Sequence, residues 1–179
     1  MAAQTMKDPH TGNRLRIAAW SVAAGLLMLP AVAMQFTREV VWGPFDFLVA
    51  AALIGGVGLT FELAVRTHQS AVYRAGAAVA LLTAFLTVWI NLAVGMIGDE
   101  GNPINLVFAG VLAVAAIGGL LARFRPAGMA WAMVATAAAQ AATIVPALTT
   151  EAGTAALIVA FTLPWLLSAA LFRAAAREG

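Results

Sequence analysis

The sequence predicts an all-α integral membrane bundle of six transmembrane helices with both termini cytoplasmic. Three observations predict it. Of 179 residues, 63% are hydrophobic and 10% are charged, against about 25% charged in an ordinary soluble domain. A chain this short has too little interior to hide that much apolar surface from water. Six apolar stretches each approach the roughly 20 residues that a helix needs to cross a bilayer. Nine of the ten basic residues fall in alternate connecting segments, the asymmetry that orients helices with their basic loops inside.

The stretches are 15–36, 45–66, 72–97, 104–124, 127–148 and 154–174. Residues 1–14 form a cytoplasmic tail, and 15–176 form one six-helix transmembrane domain. The tail carries Lys7, Arg14 and Arg16. The second connection brings Arg66 and Arg74, the fourth Arg123 and Arg125, and the C-terminus Arg173 and Arg177. The opposite side has only Arg38, accompanied by Glu39, Asp99, Glu100 and Glu151. A competing reading takes the basic tail, the first apolar run and Pro30-Ala31-Val32-Ala33 as a signal peptide, which would leave five spans.

Prolines punctuate the helices in order. Pro44, Pro103 and Pro126 fall near first helical positions, where no N–H is missed, and Asn102 reads as an N-cap before Pro103. Pro30, Pro146 and Pro164 lie inside helices one, five and six and should kink them. Trp20, Trp42 and Trp131 fall near predicted boundaries and suit an aromatic belt, whereas Trp89 and Trp165 lie deeper.

Because lipid is as apolar as leucine, close approach through small and polar residues decides which faces pack. Helix three sets Gly76, Ala80, Thr83, Thr87, Asn91, Gly95 and Gly98 on one face, with Leu81, Leu82, Phe85, Trp89, Leu92 and Met96 opposite. Helix two shows Ala51, Gly55, Gly58, Glu62 and Arg66. Helix four offers Asn105, Ala109, Ala116 and Gly119, and helix five Thr136, Gln140, Thr143, Ala147 and Thr150. Helices two to five should therefore form the packed centre, with helix one peripheral. Gly55-Gly56 with Arg66, Arg74 and Gly76 echoes Gly118-Gly119 with Arg123, Arg125 and Gly128, either a duplicated hairpin or a chance product of composition.

Two polar constellations are candidate sites. Glu62 and Arg66, four apart, form a candidate buried ion pair; a carboxylate in a span must be paired, protonated or hydrated. Asn91, Asn105, Gln140 and Thr143 could line a polar pocket open to the outside, with Asp99 and Glu100 at its mouth to attract cations. Interhelical hydrogen bonding is the structural alternative. Asp46, in the first turn of helix two, reads as an acid favoured by the helix N-terminus.

The absences narrow the classes. No cysteine is present, which excludes disulfides, thiolate metal sites and covalent haem. His10 and His68 lie outside the spans, so bis-histidine haem is excluded, and the one lysine, Lys7, lies in the tail, so a retinal Schiff base cannot form within the bundle. No Gly-rich phosphate loop or Ser–His pairing is visible. The dispersed basic residues argue against nucleic acid despite a pI near 9.9. No cofactor is expected. The partners are the bilayer and either another membrane protein or a second copy.

The stretch VWINLAVGMIGDEGNPIN, Val88 through Asn105, resembles a hairpin of small uncharacterised bacterial multi-pass inner-membrane proteins, over residues 34–125. The resemblance implies a bacterial inner membrane and brings no activity. The leading expectation is a non-enzymatic accessory or scaffold protein. The alternative is a small-solute or cation permease.

Overall fold

The computed structural model describes residues 9–38, 40–147 and 152–178. Among them every regular element is helical. The order is α1 (Pro9–Ala33), α2 (Pro44–Thr67), α3 (Ala71–Ala93), a 3-10 turn (Pro103–Leu106) running into α4 (Val107–Leu121), α5 (Pro126–Ala142), the single turn α6 (Ile144–Ala147) and α7 (Ala152–Glu178). With the 3-10 turn counted with α4, and α6 with α5, six helices are long and apolar enough to cross a membrane. α1 begins at Pro9, inside the stretch read as a tail.

Local chemistry explains the helix ends. Pro126 opens α5 and Pro103 opens the 3-10 turn, each at a position that lacks an N–H acceptor in any case. The Asn102 side chain accepts the Ile104 N–H at 3.1 Å, as an N-cap should. Ser70 does the same for Tyr73 at 3.2 Å. At the start of α2, Asp46 Oδ2 accepts the Gly43 N–H at 2.7 Å, so this acid caps its helix. Pro30 and Pro164 lie inside α1 and α7, and α5 ends at Ala142, just before the turn that contains Pro146.

Packing divides the chain into two compact units, Met1–Leu59 and Thr60–Gly179. The first holds α1 and most of α2. Here Trp20 lies over Gly58, where a Cβ would come within 3.1 Å of the indole, so any larger residue would push the ring outward by a few tenths of an ångström. The Trp42 and Phe47 rings meet edge to face at 5.3 Å.

In the second unit α5 packs against both α4 and α7, and α7 packs in turn against α3. Sequence reasoning put helices two to five at the centre. Within this unit α7 also supplies Trp165, Ser168, Ala169, Phe172 and Ala175 to the interior. Its alanine-rich composition disguised α7: the interior face is set by small residues interleaved with two aromatics, not by a polar stripe. Small residues fix the helix spacing. A Cβ on Gly118 would lie 2.8 Å from Ala132 Cβ, and one on Gly128 2.7 Å from Ala122 Cβ, so α4 and α5 touch backbone to methyl.

The α4–α5 turn has an unusual conformation. Arg123 and Phe124 both have positive φ, 49° and 57°. Arg123 N–H bonds Leu120 O at 2.9 Å and Phe124 N–H bonds Gly119 O at 3.2 Å. This is the Schellman pattern, which ordinarily places glycine where Arg123 stands.

Two contacts gather one end of this unit. Ser70 Oγ donates to Glu178 Oε2 at 2.7 Å, and Tyr73 Oη donates to Phe124 O at 2.8 Å. The start of α3, the end of α4 and the end of α7 therefore meet, and Arg74, Arg123, Arg125, Arg173 and Arg177 lie towards that end. A second apolar cluster of Met96, Ile97, Phe108, Val111, Ala147 and Ile158 closes the other end, beside the α3–α4 connection.

Candidate functional site

The α3–α4 connection shows how the polar residues are used. The apolar run Val94–Gly98 reads as helix in the sequence, yet α3 stops at Ala93. Gly95 and Gly98 adopt φ of +75° and +73° and turn the chain inward. Met96 and Ile97 are thereby buried, at 2% and 0% exposure, in a segment with no regular ladder. The helical spacing that places Gly95 and Gly98 on the small-residue face of helix three and Met96 on its lipid face is not kept: the two glycines are turn residues and Met96 is core.

Buried backbone of this kind needs partners, and Asn105 supplies them. Its Oδ1 accepts the N–H groups of Met96 at 3.2 Å and Ile97 at 2.9 Å. Its Nδ2 donates to Ile97 O at 3.2 Å and Asp99 O at 2.8 Å. One amide thus pins the whole connection, and a side chain on Gly95 would strike the Asp99 carbonyl. Asp99 and Glu100 are exposed on the same connection.

The remaining pocket candidates lie in the helices. Asn91 Nδ2 donates to Thr87 O at 2.7 Å, while its Oδ1 is buried and unpartnered. Thr143 donates to Gln140 O at 2.7 Å. Gln140 is fully covered, and neither end of its side-chain amide has a partner. Thr83, Thr87 and Thr136 are buried and bond back to the carbonyls of Val79, Thr83 and Ala132, the usual route by which a threonine satisfies itself within a helix. The structure joins Asn105 to the Asp99 backbone and Thr143 to Gln140. It does not gather the six candidates on one open surface, since Asp99 and Glu100 are exposed while Gln140 has no accessible area. The Thr150 position of the helix-five stripe lies outside the described residues.

The Glu62–Arg66 ion pair forms. It is not buried as expected: the Arg66 side chain is 61% exposed and that of Glu62 16%. Arg66 is the last basic residue of α2, where a cation also favours the helix C-terminus.

Several interior contacts were not anticipated. Ser168 Oγ, fully buried, donates to Gly76 O at 2.9 Å across α7 and α3. Arg74 donates to His68 O at 2.9 Å and Val65 O at 3.0 Å, closing the end of α2. His68 and Tyr73 stack at 3.6 Å. Trp165 Nε1 is buried with no partner. The sequence signal for Ser168 is its spacing from Trp165 and Phe172, three and four residues away on one helix face. Among the described residues no group of three or more His, Asp or Glu side chains is placed to hold a metal ion.

The fold defines the class: a multi-pass helical membrane protein. No known protein family, curated protein or solved structure matches the chain.

Proposed function

We propose that the chain is a non-enzymatic accessory or scaffold protein of the bacterial inner membrane, with both termini cytoplasmic, akin to the small multi-pass proteins whose hairpin it resembles. The observation that carries this reading is the use of polar groups within the second unit. The hydroxyls of Thr83, Thr87, Thr136, Thr143 and Ser168, and the Asn105 amide, all bond backbone of the same chain. Groups committed in this way build and hold a bundle, and they leave little for substrate. A site for a partner helix has support in α2, where a Cβ on Gly55 meets nothing within 4 Å, and small residues admit close helix approach. Purification from native membranes under mild detergent, followed by mass spectrometry, tests the reading: a stoichiometric membrane-protein partner is expected.

The permease reading is favoured by one observation, the covered and unpartnered Gln140 amide. A group of this kind calls for an explanation, and a solute with both donor and acceptor groups would satisfy it. Ion or solute flux by the lone protein in liposomes, lost in Gln140→Met, would establish that reading over the first.

A further inference from the structure

Between α5 and α7, on the outer surface of the second unit, runs an open groove of about 390 Å³. Its floor is alanine: Ala130 and Ala169 are almost covered, at 8% and 5% exposure, and Ala127, Ala170 and Ala176 continue it. Trp131, Val134 and Leu166 wall it, with Trp131 69% exposed, and Arg173 also lines it. Five methyl side chains between bulkier walls leave a trough with no polar floor. We propose that this groove is a binding site for an anionic phospholipid, with one acyl chain along the alanines and the headgroup phosphate on Arg173.

Three features select that occupant. The first is length: Leu166 to Arg173 covers about 10 Å of helix at 1.5 Å per residue, which fits within one leaflet of a hydrocarbon core about 30 Å thick. The second is charge. The guanidinium fork matches phosphate oxygens, and among the described residues no carboxylate pairs with Arg173. Glu178, the acid at that end, accepts from Ser70. The N-terminus of α5 opens beside Ala127 and adds positive potential at the same level. The third is the rim. An exposed tryptophan beside a basic residue suits the layer where acyl chain meets headgroup. The proposal is independent of whether the chain is a scaffold or a permease.

Native mass spectrometry of the purified chain, with dioleoylphosphatidylglycerol and dioleoylphosphatidylcholine in turn, tests it. The wild type is expected to retain phosphatidylglycerol preferentially. Arg173→Gln is expected to cut that retention about fivefold, the factor for one surface cation, without changing phosphatidylcholine. Arg173→Lys should keep the preference, and Ala170→Leu, which fills the trough at an exposed position, should lower retention of both lipids. Arg177→Gln, outside the groove, should change nothing. Tryptophan-detected melting of each variant confirms that it is folded. Equal retention of the two lipids by the wild type overturns the proposal. So does an effect of Arg177→Gln as large as that of Arg173→Gln. A dimer abolished by Ala170→Leu, without lipid retention, would also overturn it and assign the groove to a second copy.

Discussion

Replacing Asn105 by alanine removes four hydrogen bonds at once, and the structure sets the cost. The bonds to Met96 N–H, Ile97 N–H and Ile97 O serve backbone of residues that are 2% and 0% exposed. The fourth, to Asp99 O, serves an exposed residue whose carbonyl water can rehydrate. A hydrogen bond contributes about 0.5–1.5 kcal/mol net, and a buried group left without a partner costs about 1–3 kcal/mol. Three poorly hydrated groups that relax in part give a loss of roughly 2–4 kcal/mol. Unfolding in mixed micelles with increasing sodium dodecyl sulfate, followed by circular dichroism, measures it. Thiol-reactive melting dyes are of no use because the chain has no cysteine, but its five tryptophans report melting directly. Hydrogen exchange at the Met96 and Ile97 amides should rise in step. A change below about 0.5 kcal/mol with unaltered exchange at those amides would refute the assignment of Asn105 as the pin of this connection.

Gly118→Ala should destabilise by about 1–3 kcal/mol through overpacking against Ala132, whereas Gly110→Ala, where an added Cβ meets nothing within 4 Å, should be neutral or stabilising; equal effects in the same titration would contradict the close α4–α5 approach. Arg123→Gly should stabilise by roughly 0.5–1 kcal/mol, because φ of 49° is costly for any residue with a Cβ; a lower melting temperature would count against this. Ser168→Ala should cost about 0.6–1.7 kcal/mol, the range for a hydrogen bond between helices in a membrane, and no measurable change would remove Ser168 as a link between α7 and α3. Glu62→Gln should cost less than about 1 kcal/mol, since its partner is largely exposed; a larger loss, or altered proton flux in liposomes, would give Glu62 a role beyond that pair.

Much of the fold was legible because the bilayer imposes a coarse rule on sequence. Apolar length located all six spans, and the prolines at 44, 103 and 126 marked starts that the structure keeps. The small and polar face of α3 was readable through Gly76, Ala80, Thr83 and Thr87, all buried, and so was the α5 face through Thr136, Gln140, Thr143 and Ala147. The α4 face was legible only in part: Gly119 is buried as its place in the stripe implies, but Phe108 and Val111 are buried too, while Ala109 and Ala116 are exposed. Small residues mark close approach only where a partner helix lies opposite, and the sequence does not say where that is. Glycine was the other source of error. Gly95 and Gly98 fit a helical stripe by spacing, but their use is positive φ, a property that spacing cannot reveal. Asn105 was singled out as polar at depth; that it faces backbone and not solute depends on the loop those glycines make.

A membrane-spanning second unit must present its basic residues at one end and its α3–α4 connection at the other. Because the chain has no cysteine, single replacements at the exposed positions Gly101 and Arg125 give clean reporters for a membrane-impermeant maleimide. In intact cells, Gly101→Cys is predicted to label at once and Arg125→Cys only after the membrane that holds the protein is breached. Labelling of both from the same side would contradict the bundle and every site placed on it.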